Sequence, residues 1–396
     1  MFSRRSSRRS MAAALAFVTV GAASAACGSS SHEQSSSSPT DSVVIVAGTH
    51  RNAPMPQLNA ETEQVVADAM INLGHVALVR VSGDPDIAPM ALKDVTGTDA
   101  GRAAIVTGNL TRIGEQLREG STEDGADNLE AVARARDRLR GDRAEHPVIV
   151  FTGSGLSDRG RLDFTSPGML AADPSEVAGY LEQAGVLPEL SGVTVYLVGI
   201  GYTTLPQQSL DSAQRTNLVA IWQAVLEASG ASVVVSPDPR SGESVDTTAT
   251  VDTVDVPTIT TPAMCSTEEI VFGQQSQVSF VAEANTFIDA GAAERALTPL
   301  VDWLTHDRTR TAVVRGTTAD DRGDRARLVR LGQSRAETVE SFFLSRGVAP
   351  TQINSVGVGA DFPEYVRPDT DPATGLLLPG PAAMNRSVRI ALTDPC

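Results

Sequence analysis

The sequence predicts an α/β protein in two successive parts: a parallel, doubly wound sheet, then an α/β sandwich with its helices on one face. Three observations lead there. Short continuous apolar runs, such as SVVIVA at 42–47 and VTVYLVGI at 193–200, read as strands buried on both faces. Amphipathic stretches with helical spacing separate them. The alternation breaks once, at a Ser-, Thr-, Asp- and Pro-rich stretch over 237–264, and 396 residues suit two domains better than one.

The first part spans 41–236 and opens on the strand 42–47. A helix follows over 60–73, with Val65, Val66, Met70 and Leu73 on one side. Strands are expected at 76–81 and, briefly, at 103–106, the latter leading into a helix through Leu110, Ile113 and Leu117. A helix over 128–139 turns Leu129, Val132 and Leu139 inward. The strand 147–151 (PVIVF), a helix at 177–183, the strand 193–200, a long helix over 214–229 and a strand at 231–235 complete the sheet.

The stretch 237–264 reads as an extended linker. The second part, 265–396, runs strand (277–281), helix (292–304), strand (311–315), helix (326–344), strand (353–358), loop, strand (387–392). Helices then cover one face of the sheet.

The amino terminus reads as an export signal over 1–26. Arg4, Arg5, Arg8 and Arg9 precede a short apolar run at 11–20, small residues follow, and then Cys27. The run is too short to span a bilayer. A cysteine directly after small residues resembles the lipobox of bacterial lipoproteins, although Ser24 stands where Leu or Val is usual. That resemblance implies cleavage before Cys27, acylation of its thiol and anchoring on the outer side of the cytoplasmic membrane. Plain cleavage with a free thiol is the alternative, and Arg8-Arg9 leaves general and twin-arginine export both open. Residues 27–40 form a Ser-rich tether. Cys265 and Cys396 bracket the second part, and in an oxidising compartment they are expected to pair as a disulfide.

Charge and composition exclude several functions. The net charge is −16 with no basic block, so nucleic acid is not an expected partner. Lys93 is the only lysine, a bias of GC-rich, actinobacterial-type genomes. The five histidines show no metal-ligand spacing. Thr152-Gly153-Ser154-Gly155 follows a strand but lacks the first glycine of a nucleophile elbow. No catalytic constellation and no cofactor is expected.

The strand SVVIVAGTH, the segment 120–135 (GSTEDGADNLEAVARA) and HPVIVFTGSGLSDRG at 146–160 resemble the von Willebrand factor A-like family. That resemblance implies a Rossmann-like fold and, in many members, a divalent-metal site. Here Ala47-Gly48-Thr49-His50 replaces the acidic first loop. Thr122 takes the Thr position and Ser154 falls where a third-loop Asp is usual, so no working metal site is expected. Asp124 and Asp158 are expected as helix caps or solvated acids.

In the second part VSFVAEANTF, VVRGTTADDRG, LGQSRAETVESFFLSRGV, VGVGADFPEY and NRSVRIAL follow one another in the order seen in the OmpA-like family. The resemblance implies binding of peptidoglycan at the diaminopimelate of its peptide stem, through an Asp and an Arg. A zwitterionic end needs a carboxylate for its ammonium and a guanidinium for its carboxylate. Arg335 takes the Arg position. Aligned back from Arg335, Asp320 takes the Asp position; aligned forward from Gly316, Ala319 takes it, and both registers remain open. Asn385 and Arg386 match the closing motif. The expected whole is a non-catalytic envelope lipoprotein that holds peptidoglycan and offers its first domain to an unidentified protein or ligand. The alternative is an exported hydrolase or adhesion protein whose second part only localises it.

Overall fold

The computed structural model describes residues 41–256, 264, 269–274 and 276–393. The expected signal, the tether and all three cysteines lie outside the described residues. Among those residues no helix is long and apolar enough to cross a membrane.

The first half comprises β1 (Ser42–Ala47), α1 (Ala60–Ile71), β2 (His75–Arg80), β3 (Asp86–Ala88), α2 (Asp99–Gln116), α3 (Asn128–Asp142), β4 (Pro147–Thr152), α4 (Pro174–Gln183), β5 (Thr194–Val198), α5 (Ser212–Ala228) and β6 (Ser232–Val235). Its sheet has the order β3-β2-β1-β4-β5-β6, parallel except at the edge strand β3. Every residue of β1 is buried, as its unbroken apolar run requires. Helices cover both faces and give two apolar layers. One is centred on Phe151 and Trp222, whose rings meet edge-on at 5.0 Å. The other lies under α1 and α2.

Two readings of this half are corrected. The run 103–106 is helical, not a strand: Thr98 caps α2 by accepting from the amide of Gly101, and Val106, Asn109 and Ile113 are buried at helical spacing. The stretch after β6 is no free linker. Residues 237–256 have no helix or strand, yet Val245, Ala249, Val254 and Val256 are buried. They form a strap across the carboxyl ends of β1, β4 and β5. Asn52 donates to the carbonyls of Val251 and Asp252. Thr247 donates to the carbonyl of Ser121. Gln207 exchanges two hydrogen bonds with the backbone of Val254. Asp124 is exposed, as expected, and accepts from the strap amide of Thr250, whereas Asp158 is buried and accepts from that of Asp252.

The second half comprises β7 (Ile270–Gly273), α6 (Ala290–His306), β8 (Thr311–Thr317), α7 (Arg325–Ser345), β9 (Ile353–Gly359), α8 (Pro379–Asn385) and β10 (Ser387–Thr393). The sheet order is β7-β10-β8-β9, with β8 and β9 parallel and the other pairs antiparallel. The expected first strand at 277–281 is replaced by β7. Within 277–281 only Phe280 makes an isolated bridge, to Phe287. The short helix α8 was not expected.

Two glycine contacts set the spacing that the site depends on. A Cβ on Gly316 of β8 would stand 1.9 Å from the carbonyl oxygen of Gly332, and one on Gly332 would stand 2.4 Å from that of Gly316. The bare backbones therefore let α7 lie directly on the sheet. Between the halves, Gly168 and Gly380 approach in the same way: a Cβ on Gly168 would stand 2.3 Å from the carbonyl oxygen of Gly380.

Candidate functional site

A cavity of about 600 Å³ lies between the start of α4 and α5 in the first half and the β8–α7 face of the second. Its floor is apolar, with Phe272, Phe280, Leu328 and Val388 among the lining residues. Arg335 and Arg386 line it from the second half, Asp173 and Glu176 from the first.

Arg335 sits three residues beyond Gly332 on α7, one helical turn on. Its side chain is therefore held by the same close contact that seats the helix. The residue is only 7% exposed. Its Nε donates to the carbonyl of Ala284 at 3.0 Å and one Nη donates to that of Val281 at 3.5 Å. The guanidinium lies over the ring of Phe280, 5.5 Å from its centroid. Among the described residues it forms no ion pair. Burial and, next, the positive charge of Arg386 push its pKa down to about 10, so it stays charged at neutral pH. Glu283 acts on it through its charge without an ion pair, and a buried cation so placed is poised for an anion from outside.

Arg386 is tied across the halves. Its two terminal nitrogens pair with both carboxylate oxygens of Glu176, at 2.5 and 2.7 Å, and one also donates to Gln274 at 3.1 Å. Asn385 does not line the cavity: it is fully buried, and its amide accepts from the Val366 amide at 2.7 Å and donates to the Val366 carbonyl at 3.1 Å. Both ends of that side chain are used in clamping the 366 loop to the start of β10.

At the end of β8, Ala319 lines the cavity and Asp320 does not. The Asp320 carboxylate accepts from the amide of Arg322 at 3.0 Å, closing its own turn, while its amide donates to the hydroxyl of Tyr365 at 2.7 Å. Asp321 reaches the cavity but accepts from the amide of Gly323 and pairs with Arg327. Thr318, also in the wall, is 3% exposed and its hydroxyl has no partner among the described residues. The structure thus brings Arg335 and Arg386 together and leaves Asp320 and Asn385 outside the cavity. Asp173 and Glu176 are additions that no local motif signals, and Thr318 stands inside VVRGTTADDRG; Glu176 lies 210 residues from Arg386.

No group of three or more His, Cys, Asp or Glu among the described residues is placed to hold a metal ion. The carboxyl edge of the first sheet carries a different feature. The His50 ring is 1% exposed, and neither nitrogen has a hydrogen-bond partner among the described residues. Burial lowers its pKa to about 4, so it is neutral at pH 7. Ser154 is buried, its hydroxyl accepting from the amide of Leu156 at 3.3 Å. Thr122 is exposed.

No curated protein matches the chain. Among solved structures, the Burkholderia pseudomallei peptidoglycan-associated lipoprotein is 24% identical over 29% of this chain and 86% of its own, with a TM-score of 0.24. The periplasmic domain of Helicobacter pylori MotB (residues 97–256) is 16% identical over 32% of this chain and 81% of its own, with a TM-score of 0.25. The cell wall anchor of the Pseudomonas aeruginosa T6SS is 16% identical over 32% and 79%, with a TM-score of 0.24. Residues 285–374 match the OmpA family. The second half of the chain therefore carries an OmpA family domain.

Proposed function

We propose that this chain is a non-catalytic cell-envelope lipoprotein that binds peptidoglycan, at the diaminopimelate of the peptide stem, through its second half. One observation carries the reading: within the OmpA family domain, Arg335 is buried, charged and free of any ion pair among the described residues, in the wall of a cavity. A carboxylate entering there gains a charge-assisted, two-pronged partner that water does not screen.

In the same proposal Cys27 carries the lipid, and Cys265 and Cys396 pair. The first half is a von Willebrand factor A-like scaffold that meets an unidentified partner. The strap favours a scaffold over the hydrolase alternative. In open parallel sheets the ligand crevice lies beyond the carboxyl ends of the strands, and here the chain itself covers that edge.

The test is sedimentation of the full chain with purified peptidoglycan. The chain is expected to co-sediment, and Arg335→Ala to abolish most of the bound fraction. A wild-type chain that stays in the supernatant overturns the reading. Equal sedimentation of Arg335→Ala would keep wall binding and move its site elsewhere.

A further inference from the structure

We infer that the amino edge of the first sheet is a bilayer-docking surface, with Leu73 as the side chain that enters the headgroup layer. The inference rests on the acylation of Cys27 proposed above. Leu73 follows the cap of α1 with φ +60° and is 71% exposed, and Ile71, the last residue of that helix, is 40% exposed. A leucine in the left-handed region is strained where glycine is not. A large apolar side chain left in water adds a second cost. An outlier that is unfavourable on both counts points to a contact beyond the chain.

Two arginines flank it. Arg102 donates to the carbonyl of Ile71 at 3.0 Å, and the exposed Arg143, itself left-handed at φ +55°, caps the end of α3. Among the described residues neither forms an ion pair. Glu145 is the exposed acid of the same turn. Apolar side chains beside arginines suit the membrane interface, where the apolar part enters and the guanidinium stays with the phosphates.

The occupant is selected by where the chain comes from. Asp41 is clamped between the turns that carry Leu73 and Arg143. Its carbonyl accepts from the amide of His75 at 3.2 Å, and its carboxylate from those of Glu145 and His146 at 2.6 and 2.9 Å. A Cβ on Gly74, next to Leu73, would stand 1.5 Å from the Asp41 carbonyl oxygen. Between Cys27 and Asp41 lie only residues 28–40. Even fully extended they reach at most roughly 45 Å. A lipid on Cys27 therefore holds this edge beside the headgroups at high local concentration, where a contact of two side chains is enough to orient the first half.

The experiment uses the acylated full chain on vesicles of phosphatidylethanolamine and phosphatidylglycerol, with and without lipids brominated near the headgroup end of their acyl chains. Trp222 and Trp303 are 0% and 9% exposed and give a constant background. Leu73→Trp is expected to shift its added emission to shorter wavelength on vesicles and to lose most of it to brominated lipid. Ile71→Trp, at a helical position that tolerates any large side chain, is expected to lose less. Leu205→Trp, 80% exposed in the loop after β5 at the opposite edge, is expected to lose none. Equal quenching of Leu73→Trp and Leu205→Trp overturns the docking surface. So does a chain that floats with the vesicles while Leu73→Trp and Ile71→Trp stay unquenched, and it leaves the lipid anchor standing. A wild-type chain whose amino-terminal peptide carries no acyl mass overturns both readings.

Discussion

Gly316 and Gly332 face each other across the contact between β8 and α7 so closely that neither can carry a side chain without moving the helix. Gly332→Ala is therefore expected to lift α7 off the sheet. Overpacking of this kind costs roughly 1–3 kcal/mol. A thermal melt should show the loss. Binding to peptidoglycan should fall further than the stability loss explains, because Arg335 rides on the same helix. A variant as stable as the wild type would show that the contact has slack.

Arg335→Lys keeps the charge and loses the planar fork. Binding should drop well below wild type and stay above Arg335→Ala. For the alanine variant the loss is expected at roughly 2–5 kcal/mol, more than tenfold in affinity. Equal binding by the lysine variant would mean that the site reads charge alone.

His50 predicts an acid sensitivity. Its folded pKa, about 4, lies below the unfolded value of 6.5, so the unfolded chain takes up the proton first. The stability this group contributes is full above pH 6.5 and is lost as pH falls toward 4. The difference of about 2.5 pH units corresponds to about 3 kcal/mol at most. His50→Phe should remove that part of the pH dependence. Denaturation of both proteins at pH 7 and pH 4.5 measures it, and parallel losses would assign the acid sensitivity to carboxylates.

The strap should resist proteolysis where a linker would be cut. Val254 is 4% exposed, and Val254→Ala removes about 2 kcal/mol of packing. Limited digestion should leave 237–256 intact in the wild type and cut it faster in the variant. Rapid cleavage of the wild type there would return the segment to the linker class.

Peptide mapping without reductant should recover Cys265 joined to Cys396, and Cys27→Ala should release the protein from the membrane fraction. Two free thiols, or unchanged fractionation, would remove the corresponding part of the proposal.

The regular part of this fold was legible because burial and period coincide locally. The run SVVIVA sits between β2 and β4, buried on both faces, and Leu129, Val132 and Leu139 share one side of α3. The misread run 103–106 is apolar enough for a strand, and its helical state is decided by the Thr98 cap and by Asn109 and Ile113 beyond it. The strap was opaque for another reason. Its buried residues follow no period, and the groups that bury it lie as far away as Asn52. The site divides the same way. Arg335 stands in a motif and was found there, whereas Glu176 becomes part of the wall only because Gly168 and Gly380 let the halves close.

The strap also fixes how the first half would carry a load. The chain enters at the amino end of β1, where Asp41 accepts from the amides of Glu145 and His146, and leaves across the opposite edge of the sheet. Under the proposed lipid and wall attachments, a pull between them would run along β1. Its ladders to β2 and β4 would bear the force in shear, with their hydrogen bonds strained together instead of one after another. A protein held between two envelope layers in this way would yield at the strap's side-chain contacts before its sheet gives. In a single-molecule pull that appears as a small early extension ahead of one large rupture.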